Sequence, residues 1–219
     1  CAGVFALESG LSREDKAGVT IGQALQQIGY AGPEPVGGQA IHAAFELHIE
    51  QGPILEAQSI TIGVVTGAQG QRWYEVELSG RSAHAGTTPM DHRLDALLGF
   101  ARGVEAVNQI GLEQGAEGRA TVGMANIFPN SRNVVPGRVF FSVEFRHPDE
   151  AVLGYQDKQL HAAVARIAEG IALQYSVKQI FQYAPIAFDS GCVDVARASA
   201  PALGYSHCDM ISGAGPDAS

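Results

Sequence analysis

Phe45-Glu46-Leu47-His48-Ile49-Glu50-Gln51-Gly52-Pro53 alternates apolar and polar side chains from Phe45 to Glu50. A period of two is the pattern of a strand with one covered face, and it sets Phe45, Leu47 and Ile49 against Glu46, His48 and Glu50. Gly52-Pro53 ends the strand, because proline has no N–H for the ladder and glycine permits a sharp exit. Gln51 therefore falls at the carboxyl end, where open α/β sheets place their ligands. His48 admits two readings. It is an ordinary surface-strand histidine, or a metal ligand whose ring is oriented by Glu46 or Glu50. Spacing leaves both open.

Upstream, residues 18–30 predict a short helix. Thr20 and Gln23 have capping-box spacing, Ile21, Ala24, Leu25 and Ile28 form one stripe, and Gly29 stops it. A loop rich in glycine and proline then leads to residues 45–53. Downstream, a helical turn follows Pro53, residues 60–66 read as an apolar strand, and 67–70 mark a boundary. Beyond it the order becomes strand (73–78), helix (88–110), strands (121–128 and 139–145), helix (150–173) and strand (176–182). The first of these helices has Thr88 and Asp91 spaced as a capping box, with Pro89 at its first position. This βαββαβ order is the ferredoxin-like split motif, with both helices on one face of an antiparallel sheet. After Pro185 a helix (189–203) and a strand (207–212) lead into Gly213-Ala214-Gly215. The predicted fold class is α/β with an α+β insert. Residues 1–67 and 184–219 form part of an α/β domain, and 68–183 an inserted ferredoxin-like domain.

The 219 residues suffice for one large or two small domains, and burial of roughly 70% of the extended surface makes a disulfide staple unnecessary. Hydrophobic content of 46% with 17% charged residues excludes a disordered chain. A net charge of −9 argues against nucleic acid or an anionic membrane as partner. Cys1, Cys192 and Cys208 are an odd number without CxxC spacing, which fits a reducing, cytoplasmic compartment. No apolar run reaches membrane-spanning length, and no signal peptide opens the chain. The sequence begins at Cys1 without methionine and stops in a glycine-rich loop, so both ends read as cut.

Three further groups carry candidate chemistry. His84 lies among small residues in Ala83-His84-Ala85-Gly86-Thr87-Thr88-Pro89-Met90, a loop leading to a helix N-terminus and suited to an anionic ligand. Helix initiation explains Thr87, Thr88 and Pro89 equally well, and a loop histidine is ordinarily just solvated. Asn133 and Arg146 bracket a strand. Each is an ordinary turn or strand-end residue, or Arg146 offers a planar fork to a carboxylate and Asn133 an amide beside it. The turn from Ser212 to Gly215 lacks the GxGxxG and Walker patterns, and neither GxSxG nor HExxH is present.

Together, Glu46 to Pro53, Ala83 to Met90, Asn133-Val134-Val135-Pro136-Gly137, Arg146-His147-Pro148-Asp149 and Ser212 to Gly215 resemble the carbamoyl-amino-acid hydrolases. This metal-dependent amidase branch of the zinc aminopeptidase-like superfamily includes allantoate amidohydrolase and one class of β-ureidopropionase. The resemblance covers essentially the whole chain. It implies hydrolysis of a carbamoyl or ureido C–N bond on a small carboxylate-bearing substrate. It also implies two divalent ions per site (zinc, manganese, cobalt or nickel) and a homodimer formed through the inserted domain. His48 falls on a metal-binding histidine, Gln51 and Asn133 on polar substrate contacts, and Arg146 on the arginine that holds the substrate carboxylate. His84 falls on a catalytic histidine lent to the partner subunit's site.

The chain departs from the family pattern in two places. The resemblance implies an upstream His-x-Asp segment and Glu-Glu pair and a last histidine ligand downstream, all of which would lie outside this chain. Pro216 stands where the family's glycine-rich loop carries histidine, and proline supplies neither an imidazole nor a backbone donor. A dipeptidase or aminoacylase relative and a non-catalytic dimerisation or binding fragment remain as alternative readings.

Overall fold

A computed structural model describes residues 6–38 and 40–215. Cys1 and Pro216 lie outside the described residues. The chain divides into two units, Cys1–Ala44 and Phe45–Ser219.

The first unit holds helices α1 (Leu7–Leu11) and α2 (Ile21–Gln27). The predicted capping box is present: Thr20 Oγ1 accepts from the Gln23 N–H at 3.1 Å, and Gln23 Oε1 accepts from the Thr20 N–H at 2.9 Å.

The second unit begins with the 45–53 stretch, and here the sequence reading needs correction. Residues 45–51 form no strand. Leu47 is 99% exposed, Ile49 74% and Phe45 63%. A strand is held by ladder bonds to a neighbour, and among the described strands none pairs with these residues. Short helix α3 (Ile54–Gln58) follows, as expected after Pro53.

Two larger sheets and one two-stranded ladder make up the rest of the described unit. Strand β1 (Ile62–Ala68) continues almost directly into β2 (Gly70–Ser79). After β2 come β3 (Ala83–His84), a 3-10 turn (Met90–His92), α4 (Ala96–Leu112) and β4 (Arg119–Phe128). Then follow β5 (Val134–Val135), β6 (Arg138–His147), α5 (Glu150–Gly170) and β7 (Gln174–Tyr183). The last described elements are β8 (Ile186–Ala187), α6 (Ser190–Ala202) and β9 (His207–Ser212). The small sheet has the order β8-β1-β9, with β9 parallel to β1. The larger one has the order β4-β6-β2-β7 and is antiparallel throughout. That is the ferredoxin-like arrangement the βαββαβ order predicts.

Alternation explains the larger sheet. Tyr74, Val76 and Leu78 of β2 and Val139, Phe141, Val143 and Phe145 of β6 all turn inward and are at most 1% exposed. They pack under Val107 and Ile110 of α4 and Leu153, Leu160 and Val164 of α5 in one apolar cluster. Burying each such side chain contributes about 1.5–3 kcal/mol, so this core carries most of the unit's stability. The Tyr74 hydroxyl donates to Asp157 at 2.8 Å; burial first, then this bond, pushes the phenol well above its ordinary value.

Helix α4 starts later than the sequence predicts. Asp95 caps it, its carboxylate accepting from the Leu97 and Leu98 N–H groups at 2.9 and 3.3 Å, whereas Thr88 and Asp91 lie upstream in the loop. The cause is a backbone bridge between Arg81 and Leu94, which closes the loop at its base and holds the chain extended up to Asp95. The sequence sets domain boundaries at residues 67/68 and 183/184, while the structure divides at 44/45 and keeps both sheets in one unit. Gln69 joins the sheets: its N–H donates to Ser212 O at 2.9 Å and its Nε2 to Glu117 O at 3.2 Å.

Candidate active site

His84 and Asn133 are brought together by a miniature ladder. Ala83 and His84 pair antiparallel with Val135 and Val134, and the Ala85 N–H donates to the Asn133 carbonyl at 2.8 Å. Gly137 lets these loops approach, since a Cβ there would lie 2.5 Å from the Ser82 nitrogen.

The His84 ring is fixed by its own loop. Nδ1 accepts from the Gly86 N–H at 3.0 Å and the Thr87 N–H at 3.2 Å. A nitrogen that accepts two amide protons carries none itself, so the neutral ring keeps its proton on Nε2. A Cβ on Gly86 would sit 3.2 Å from His84 Cε1, which explains a glycine at that position. The side chain is exposed. Asn133 Oδ1 accepts from the Ser131 hydroxyl at 3.0 Å, which leaves the amide Nδ2 as a donor. One end of the larger sheet thus presents an imidazole N–H and a carboxamide N–H.

Arg146 lies at the other end. Its Nε and Nη2 both reach Glu144 Oε1 at 2.5 Å, and Nη1 donates to the Gly213 carbonyl at 2.5 Å. Glu144 and Arg146 are two apart on β6 and so share the sheet face away from the helices. The Gly213 turn is itself braced, the Ala214 N–H donating to Ser212 Oγ at 3.1 Å. The structure therefore joins Arg146 to the glycine-rich loop and separates it from His84. The eight residue-to-residue steps of β6 from Arg138 to Arg146 span roughly 27 Å.

His48 and Gln51 sit on the exposed 45–53 stretch. His48 Nδ1 lies 2.5 Å from the Ile49 carbonyl, which makes Nδ1 the protonated nitrogen and leaves the Nε2 lone pair free. The sequence reading offered Glu50 to this ring, but its carboxylate instead accepts from the Ile54 N–H at 2.7 Å and the Leu55 N–H at 2.9 Å, at the start of α3. Gln51 has φ +56°, so the chain turns at Gln51, one residue before the predicted glycine exit. Among the described residues, no group of three or more His, Cys, Asp or Glu side chains is placed to hold a metal ion.

Arg93 escaped the sequence reading. Half-buried beside the His84 loop, it donates from Nη2 to the Ala85 carbonyl at 2.6 Å and from Nε to the Thr88 carbonyl at 3.1 Å. No motif marks it. Only the loop's closure at Arg81 and Leu94 brings it back onto its own neighbours.

Comparison with known proteins gives a consistent picture. The profile of Peptidase family M20/M25/M40 matches residues 8–219. An N-carbamoyl-L-amino-acid amidohydrolase of Rhizobium meliloti is 44% identical over 217 residues, which cover 99% of this chain and 52% of that protein. An allantoate amidohydrolase of Bacillus subtilis is 35% identical over 99% of this chain and 53% of its own length. The crystal structure of an amidase of the hydantoinase/carbamoylase family from Burkholderia multivorans superposes with a TM-score of 0.89 at 61% identity. That match covers 98% of this chain and 52% of the amidase. The chain spans about half the length of the curated relatives it matches.

Proposed function

We propose, since the chain belongs to Peptidase family M20/M25/M40, that it is part of an amidohydrolase cleaving the carbamoyl or ureido C–N bond of a small carboxylate-bearing substrate. Relatives named for N-carbamoyl-L-amino acids and for allantoate share that bond type, and each name implies a carboxylate beside it. The observation that carries the reading is the fixed imidazole of His84, which presents Nε2–H outward from a braced loop. A donor held in this way costs little to reorganise when negative charge grows on a substrate oxygen. Asn133, tied to the same ladder, adds a second N–H.

His48 suits a metal ligand, because its Nδ1 is engaged by a carbonyl and its Nε2 is free. A metal site needs further ligands, and no group of three or more His, Cys, Asp or Glu side chains is placed to hold an ion among the described residues. Two divalent ions drawn from zinc, manganese, cobalt or nickel would supply Lewis-acid activation of water at such a site. Gln51, three residues on, contacts the polar part of the substrate. The Arg146 fork, held by Glu144 and Gly213, leaves further N–H groups for the substrate carboxylate and supplies orientation rather than chemistry. Cys192 and Cys208, both free among the described residues, accord with a cytoplasmic location. Among the described residues, no helix is long and apolar enough to cross a membrane.

The separation along β6 supports a shared site. A small substrate cannot touch His84 and Arg146 of one subunit across roughly 27 Å of strand. A two-fold dimer that brings one protomer's His84 and Asn133 to its partner's Arg146 and His48 removes the difficulty.

The test uses the full-length protein, assayed on N-carbamoyl-L-amino acids and allantoate against dipeptides. His48→Ala and His84→Ala homodimers should each lose at least about a hundredfold in kcat. Subunit exchange at equal concentration makes half the dimers mixed, each with one intact site of two, so roughly a quarter of the wild-type activity should return. Hydrolysis of dipeptides alone would overturn the substrate class. No recovery despite confirmed exchange would overturn the shared site.

A further inference from the structure

We propose that Arg93 is the positioning residue of His84, acting through the Ala85–Gly86 peptide to set which ring nitrogen carries the proton. The claim rests on the reading of His84 as a donor to the substrate.

The geometry is a relay. Arg93 leaves the 3-10 turn Met90–His92 with extended backbone (φ −88°, ψ 134°) and reaches back across the loop. Its Nη2 takes the Ala85 carbonyl at 2.6 Å and its Nε the Thr88 carbonyl at 3.1 Å. The Ala85 carbonyl and the Gly86 N–H belong to one peptide plane and, in the trans form, point in opposite directions. Anchoring that carbonyl on one side therefore aims the Gly86 N–H at His84 Nδ1 on the other, where the separation is 3.0 Å. The second anchor, at Thr88, fixes the far side of the turn that delivers the Thr87 N–H at 3.2 Å. With both amide protons on Nδ1, the ring is confined to the Nε2–H tautomer.

Charge adds to placement. A guanidinium on the Ala85 carbonyl polarises the peptide and strengthens the Gly86 N–H as a donor, and chains of hydrogen bonds reinforce one another. That polarisation passes through the ring and makes Nε2–H a better donor to a developing oxyanion. Arginine is specific to the task. Nε and Nη2 form one planar edge that spans two carbonyls, whereas an ammonium reaches one of them as a point charge.

The experiment uses the full-length protein with 15N-labelled histidine and four variants: Arg93→Ala, Arg93→Lys, His84→Ala, and the Arg93→Ala/His84→Ala double. In the wild type, His84 should appear as the single Nε2–H tautomer, and Arg93→Ala should give a mixture. The same variant should lower kcat about ten- to a hundredfold with KM moving less than about threefold, and added guanidinium should restore part of the loss. Arg93→Lys, which keeps the charge and the stem, should fall between wild type and Arg93→Ala and guards against simple misfolding. In the His84→Ala background, Arg93→Ala should cost nothing further, because its only route to the reaction is gone. An unchanged His84 tautomer in Arg93→Ala, or a loss that multiplies in the His84→Ala background, would overturn the proposal. Should His84→Ala retain wild-type kcat, the reading of His84 fails instead, and the tautomer alone decides the case of Arg93.

Discussion

Residues 45–50 and 138–147 carry the same two-residue alternation, yet only the second set is a strand. In β6 the apolar positions Val139, Phe141, Val143 and Phe145 are buried beneath two helices, and β2 and β4 flank the backbone on both sides. In the 45–50 stretch Leu47 is 99% exposed, and none of the described strands lies alongside. Alternation states which side chains share a face. It does not supply the neighbour that satisfies the backbone or the layer that covers the face. The larger sheet finds both within its own sequence, from Gly70 to Tyr183. The stretch that carries His48 finds neither among the described residues.

The largest effect that could break this contrast is a paired truncation. Phe141→Ala removes a fully buried ring and should lower the unfolding free energy by about 3–5 kcal/mol. Leu47→Ala in this chain should stay within about 0.5 kcal/mol. Urea unfolding of both variants measures the difference. Equal losses would show that residues 45–50 are packed in solution after all. In the full-length protein the two losses should move closer, if neighbouring strands cover Leu47 there.

The same contrast explains what was legible in the sequence. Capping boxes, proline exits and apolar periods are local, so α2, β2, β6, α5 and β9 fall near where their residues place them. The β3–β5 ladder was invisible, because two-residue strands have no period and pair His84 with Val134, fifty positions apart in sequence. The start of α4 was misread because Thr88, Pro89 and Asp91 satisfy a helix signature that the Arg81–Leu94 bridge overrides. Among the candidate site residues, sequence could name His48, Gln51, His84, Asn133 and Arg146 by their motifs. It could not show that His84 and Asn133 share one end of the sheet while Arg146 holds the other, since that division depends on strand pairing. Arg93 and Glu144 act through contacts that no motif encodes.

A smaller effect would sharpen the account of the closed core. Gln156 of α5 is fully buried, and its Oε1 and Nε2 have no hydrogen-bond partner among the described residues. A buried amide without partners costs about 1–3 kcal/mol per unsatisfied group, while methionine fills nearly the same volume without that cost. Gln156→Met should therefore raise the urea midpoint with an unchanged slope, worth roughly 1–3 kcal/mol. A lower midpoint would mean that the amide has a partner in solution, such as an internal water, and that this core is less apolar than β6 suggests.

The smallest effect concerns where α4 begins, and it separates a signature in sequence from a cap in structure. Asp95 accepts from two orphan N–H groups at the head of a 17-residue helix whose inner face lies on β6 and β2. Losing a cap of this kind costs about 1 kcal/mol, so Asp95→Ala should lower the urea midpoint by that amount. Asp95→Asn keeps an acceptor and should recover most of it, which would assign the loss to the hydrogen bonds rather than to the charge near the helix dipole. Thr88→Ala should change stability by less than about 0.5 kcal/mol, because in this structure Thr88 meets the loop through its backbone: its N–H donates to His84 O and its carbonyl accepts from Arg93. The opposite ranking, with Thr88→Ala the more damaging, would place the helix start where the local spacing puts it. The Arg81–Leu94 bridge would then be open in solution, and the His84 loop would lose the closure on which its geometry depends.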